Sequence, residues 1–170
     1  GQAMPQKPVI GRILAVGMVG FGLSLGAQFV GTDWSTAVNG ALITSASPAF
    51  IIMFAVLILR EQLTRKRLLA ISVATMGVVV ILNPAEADFS SEAFTGNVVL
   101  FVAALTWGLY SVLVRQVTNQ YHLDTLVVTT GAFLGGLLLI IPAAAWEMSS
   151  QPIGNLDFGI VLGVLYLGVV

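Results

Sequence analysis

Cysteine is absent from the 170 residues, so the chain forms neither a disulfide framework nor a thiolate metal site. Charge is nearly as scarce. Seven Lys and Arg stand against eight Asp and Glu, charged residues are 9% of the chain and the formal net charge is -1, which leaves no electrostatic footprint for a nucleic acid. There is no G-x-x-x-x-G-K-[ST] loop to hydrolyse a nucleotide, and no nucleophile beside a base or convergent carboxylates or histidines to run an enzyme. No catalytic residue, metal or cofactor is expected.

What the chain holds in excess is apolar side chains, 57% of residues with a mean hydropathy of +0.96. A water-soluble fold of this length has no means of hiding so much apolar surface, so the lipid bilayer is the expected solvent. Six apolar segments follow one another, at about Val9–Gly31, Trp34–Leu59, Leu68–Leu82, Gly96–Val114, Leu123–Ala145 and from Phe158 to the end. Most approach the ~20 residues a helix needs to cross ~30 Å of hydrocarbon, and none shows the period-two alternation of a barrel strand. The expected fold class is an all-α integral membrane protein, a polytopic helix bundle. The last segment breaks off at Val170 and the chain begins at Gly1 rather than methionine, which reads as a piece of a longer protein.

The few charges orient the segments. Lys7 and Arg12 open the first, Arg60, Arg65, Lys66 and Arg67 join the second to the third, and Arg115 ends the fourth. If the first segment runs outward, all seven basic residues fall on one side, which the positive-inside rule makes cytoplasmic. Asp33, Glu86, Asp88, Glu92, Glu147 and Asp157 then lie opposite, with Glu61 and Asp124 the acids on the basic side. The turn "REQLTRKR" is expected to anchor its two helices against the anionic inner leaflet, at ~1 kcal/mol per basic residue, rather than to bind phosphate or nucleic acid. Asp33, before "WSTA", is expected to cap the second helix, and His122, in the turn "NQYHLD", to be an ordinary surface residue.

Small and polar residues inside the segments carry the remaining information. Gly22/Gly26, Gly131/Gly135 and Gly159/Gly163 are Gly-x-x-x-Gly pairs that let a neighbouring backbone approach; such faces serve packing within and between chains, which leaves a homodimer open. In the second segment Ala37, Ala41, Thr44, Ser45 and Pro48 share one side at helical spacing. Pro48 removes a backbone bond and kinks the helix. Either nearby hydroxyls re-satisfy the freed carbonyl, or the kink opens a cavity faced by Thr44 and Ser45. Asn39 sits on another side, nearer the outer surface, where a bond to a neighbouring helix is its alternative role. In the fourth segment Thr106, Trp107, Tyr110 and Ser111 share a broad face. The mid-helix indole N–H of Trp107 needs a partner, which is either another helix or a polar ligand in an aromatic-walled pocket.

Ser47-Pro48, the apolar run to Leu59 and "LREQLTRKRLLAISVATMGVVVILNP" resemble the end of the first repeat in EamA-type carriers of the drug/metabolite transporter superfamily. Leu59, Glu61, Leu63, Thr64 and Gly77 fit that pattern, and Arg60 stands where the family usually has glycine. The stretch "VLFVAALTWGLYSVLVRQV", with Trp107-Gly108, is similar to the first helix of the second repeat. The resemblance implies the third to eighth helices of a ten-helix protein built from two inverted five-helix repeats. Residues 1–83 would close the first repeat, 84–95 form an extracytoplasmic linker and 96–170 open the second. "ILAVGMV" from Ile13 is similar to "VLYLGVV" from Val164, as counterpart helices of inverted repeats would be.

The resemblance implies a secondary carrier in the cell (inner) membrane, exporting an amino acid, nucleoside or amphiphilic drug by alternating access. Its substrate-binding cavity would be lined by the first segment, by the second around Asn39, Thr44, Ser45 and Pro48, and by the fourth around Trp107, Tyr110 and Ser111; Gln28, close to the outer end of the first, either contributes or is simply solvated. No ionisable group lies at the middle of a segment, so transport is facilitated or by exchange, or its coupling group lies outside this sequence. The alternative is a structural subunit of a membrane complex, whose polar residues hold helices together.

Overall fold

A computed structural model of the chain describes residues 6–81, 90, 93–150 and 158–169. The acidic positions 86, 88, 92 and 157, and most of the expected linker, lie outside the described residues. All the elements described are helical: α1 Lys7–Gly17, a π-helical stretch Met18–Ser24, α2 Leu25–Asp33, α3 Ala37–Thr44, α4 Ser47–Leu59, α5 Arg65–Ile81, α6 Phe94–Tyr121, α7 Thr125–Ser150 and α8 Phe158–Val169. Among the described residues four helical stretches, Lys7–Asp33, Ala37–Leu59, Phe94–Tyr121 and Thr125–Ser150, are long and apolar enough to cross a membrane. This is a multi-pass membrane protein built as an all-helical bundle.

Helices occupy all six expected places, with different limits. The fourth segment continues past Arg115 to Tyr121, and the fifth past Ala145 to Ser150, because polar residues extend the backbone ladder beyond the apolar stretch. Among the described residues α5 has 17 residues and α8 has 12. The ends are set by local chemistry. Pro8 lies in the first turn of α1, where its missing N–H would be unpaired anyway. The α3 cap is Thr36, whose hydroxyl accepts from the Asn39 N–H at 3.0 Å. That corrects the assignment of this role to Asp33, which is the last residue of α2 and too early to reach the first turn of α3. Asp124 instead accepts from the Leu126 N–H at the start of α7, at 2.8 Å.

The chain divides into residues 1–140 and 141–170, the latter holding the end of α7 and α8. In the first unit α6 is the central element, packed against α1, the π stretch, α2, α3 and α4. Lipid tails are as apolar as leucine, so close van der Waals fit rather than water exclusion must hold these helices together. The glycines supply that fit. A side chain at Gly17 would strike the Ala132 backbone and one at Gly135 the Leu14 backbone, so α1 and α7 cross nearly backbone to backbone. Gly22 and Gly131 likewise lie against side chains, of Leu139 and Ile13, whereas a side chain at Gly26 would meet none of the described residues. Beside the crossing, Val9, Ile13, Val16, Tyr110, Val117, Val128 and Ala132 form the buried core.

The two ends of this unit differ chemically. At one, Arg12 donates to the Tyr121 hydroxyl at 2.7 Å, while Glu61 bridges Arg67 and Arg115, the latter at 2.6 Å. The hydrogen bond from Arg67, outweighing partial burial and aided by the Arg115 charge, holds the Glu61 carboxyl below its ordinary range. At the other end the buried Asn39 amide donates to Ser35 Oγ and to Asn97 Oδ1, both at 2.8 Å, and Ser35 Oγ donates to the same Asn97 oxygen at 2.7 Å. Basic residues and neutral polar residues thus close opposite ends.

Candidate functional site

The second membrane stretch is interrupted three residues before Pro48. Ser45 (φ -63°, ψ -15°) and Ala46 (φ -76°, ψ -10°) make a tight turn between α3 and α4, with Ala46 N–H on Ile43 O and Ala49 N–H on Ala46 O. Proline lacks the donor that would serve Thr44 O in a continuous helix. Ser47 Oγ supplies it instead, at 2.6 Å, and Ser45 Oγ serves Leu42 O at 2.6 Å. Thr44 Oγ1 donates in turn to Gly40 O at 2.6 Å. Hydroxyls thus re-satisfy the carbonyls around the proline, and a cavity lies beside the break, faced by Thr44 but not by Ser45.

That cavity has a volume of about 220 Å³. Thr44 and Ser47 line it from the break, Leu25 and Gln28 from α2, and Ala103, Ala104 and Trp107 from α6. The hydroxyls of Thr44 and Ser47 have committed their protons to the backbone, so toward a ligand they only accept. Donors come from the Gln28 amide and from the Trp107 indole N–H, which has no acceptor among the described residues. Trp107 is held in place by aromatic neighbours. Its ring centroid lies 5.1 Å from that of Tyr110 and 6.1 Å from that of Phe21, edge to face with the latter, and Phe21 meets Tyr110 edge to face at 5.2 Å. This triplet and the core behind it separate the cavity from the basic end.

Of the residues singled out in the sequence, Gln28, Thr44 and Trp107 come together at the cavity. Four lie elsewhere. Tyr110 is buried in the core behind Trp107, Ser111 Oγ donates to Trp107 O at 2.9 Å, Ser45 faces its own helix, and Asn39 is held by Ser35 and Asn97. Ser47, named before only as part of the Ser-Pro pair, lines the cavity itself.

Two contributors escaped the sequence reading. Ser24 is the one hydroxyl in Val9–Gly31; it is buried and donates across to Ala103 O at 2.7 Å, tying the first membrane stretch to α6 at the cavity wall. A lone serine among apolar residues was the available signal. The second is the π-helical stretch Met18–Ser24, whose wider turns rotate everything after them by about 100° relative to a plain α-helix. Nothing in the residue pattern announces it except the density of glycine.

Residues 1–83 match the profile of the EamA-like transporter family. Among curated proteins the chain is 25% identical over 170 residues to an uncharacterized transporter of Archaeoglobus fulgidus, covering 99% of this chain and 57% of that one. It is 27% identical over 148 residues to the uncharacterized transporter YyaM of Bacillus subtilis, covering 85% and 47%. With an uncharacterized transporter of Methanothermobacter thermautotrophicus the identity is 32% over 138 residues, covering 79% and 40%. The chain thus spans about half the length of the curated relatives it matches. No solved structure matches it. The family match over residues 1–83 and the run of relatives named as transporters support membership in the EamA-like transporter family, a family of transporters rather than of enzymes.

Proposed function

We propose that the protein is a secondary carrier that exports a small metabolite by alternating access, with the cavity at the α3–α4 break as its substrate site. The observation that carries this reading is a largely apolar cavity with a few polar groups, at a helix break inside the membrane-spanning region, lined from three helical stretches and walled by Trp107. A discontinuous helix beside a mid-membrane cavity is the arrangement in which carriers expose polar groups to substrate. No Asp, Glu, Lys, Arg or His lines the cavity among the described residues. A neutral or zwitterionic substrate fits it, with acceptor atoms for Trp107 and Gln28, donors for Thr44 and Ser47, and an apolar part against Leu25 and Ala103. At about 220 Å³ it lies below the ~300–1,000 Å³ of drug-sized pockets, which favours an amino acid or compact nucleoside over a large amphiphile.

In this reading residues 1–83 complete one repeat, 84–95 link on the extracytoplasmic side and 96–170 begin an inverted second repeat of a ten-helix protein in the cell membrane. The full-length protein in liposomes, assayed by counterflow with labelled amino acids and nucleosides, tests the proposal. Saturable exchange of at least one compound is expected. Trp107→Phe keeps the ring but removes the indole donor, worth ~1 kcal/mol, so the half-saturation concentration should rise roughly fivefold in a folded protein. A folded protein that exchanges nothing across the panel would point to a structural subunit instead.

A further inference from the structure

A second cavity, of about 340 Å³, lies at the basic end between α1 and α6. It is amphipathic. Ala15, Val16, Leu113 and Val117 give it apolar walls, and Arg12, Gln116 and Gln120 give it donors. Gln116 and Gln120 are four residues apart on α6 and therefore lie one turn above the other.

The cation is held in place. Arg12 Nη1 donates to Tyr121 Oη at 2.7 Å, and the guanidinium carbon stands 5.9 Å from the centre of the Tyr121 ring. One of the five guanidinium donors is thereby used. No carboxylate pairs with Arg12 among the described residues, and Glu61, the acid at this end in an ion pair, is occupied by Arg67 and Arg115. A fixed arginine without a counter-ion, beside two amides, calls for an anion with several acceptor oxygens.

The apolar walls say which anion. A small soluble anion would leave Ala15, Val16, Leu113 and Val117 without use, whereas a phospholipid matches both halves of the cavity. Arg12 lies five residues into α1, roughly 7–8 Å along its axis, near the boundary of headgroups and acyl chains. The basic end is also the one expected to face the anionic leaflet. We propose that this cavity binds an anionic phospholipid, its phosphodiester held by Arg12, Gln116 and Gln120 and its glycerol and first methylenes lying on Ala15, Val16, Leu113 and Val117.

The test is native mass spectrometry of the full-length protein in detergent, titrated with phosphatidylglycerol or with phosphatidylcholine of the same acyl chains. Phosphatidylglycerol should bind the more tightly, and Arg12→Gln should weaken it roughly fivefold, the equivalent of ~1 kcal/mol per basic residue. Gln116→Leu and Gln120→Leu, which keep the Arg12–Tyr121 contact, should weaken it as well and carry the test if Arg12→Gln does not fold. Arg65→Gln, at the same end but outside the cavity, should leave it unchanged. Equal binding of the two lipids, or an equal loss in Arg65→Gln, would reduce the effect to diffuse attraction and overturn the site. Displacement of the lipid by an equal concentration of inorganic phosphate would assign the cavity to a soluble anion and overturn the lipid.

Discussion

Arg60 shows how a single residue records the backbone it must adopt. It ends α4 in the left-handed region (φ 54°, ψ 34°), with the Glu61 N–H reaching back to Ala55 O at 3.3 Å as in a glycine-capped helix end. This is the position at which the resemblance calls for glycine, and the backbone supplies the reason: a side chain there is strained by ~1–2 kcal/mol. Arg60→Gly relieves that strain but adds unfolded-chain entropy, so a net gain of roughly 0.5–1 kcal/mol is expected. Thermal unfolding in detergent measures it, and an unchanged or lowered midpoint would refute the account. His122 takes the same role at the end of α6 (φ 51°, ψ 39°), which gives a structural purpose to a residue the sequence marked only as exposed.

At the scale of the element, the break between α3 and α4 is a substitution of donors. Pro48 withdraws an N–H from Thr44 O, and the Ser47 hydroxyl replaces it. Ser47→Ala should then leave Thr44 O without a donor, at about 1–3 kcal/mol of stability. Adding Pro48→Ala restores an amide N–H at the right place, because Ser45 and Ala46 already hold near-helical dihedrals. The double variant is expected to be more stable than Ser47→Ala alone and to carry a straighter helix with a smaller cavity. A double-mutant cycle on unfolding free energies reads the coupling directly, and additive effects would show that Ser47 does not act for the proline.

For the whole molecule, one carboxylate fastens three chain segments at the basic end. Glu61, between α4 and α5, holds Arg67 of α5 and Arg115 of α6. Its pKa is lower in the folded state than in the unfolded state, so its stabilisation is complete above the ordinary carboxylate pKa and disappears as pH falls through the lowered one. The unfolding midpoint of Glu61→Gln should therefore lie below that of the parent at neutral pH and converge with it in acid. A constant gap at every pH would mean that the charge is not what Glu61 contributes.

Hydropathy and charge order are local properties of the chain, and they sufficed to specify a multi-pass helical bundle, the approximate places of the described helices and the gathering of Arg12, Arg67 and Arg115 at one end. They also marked Gln28, Thr44 and Trp107, because a polar or indole group within an apolar segment stands out wherever it points. Which of the marked residues share a cavity was decided by tertiary structure alone. For Asn39 the sequence left a substrate contact and a bond to a neighbouring helix both open, and Ser35 and Asn97 around its amide give the second; Tyr110 shared a face with Trp107 until the core closed over it. The physical reason lies in rotation. The π-helical stretch turns α2 relative to α1, glycine contacts set how closely α1, α7 and α6 approach, and both depend on the fit of whole helices rather than on the pattern within any one of them.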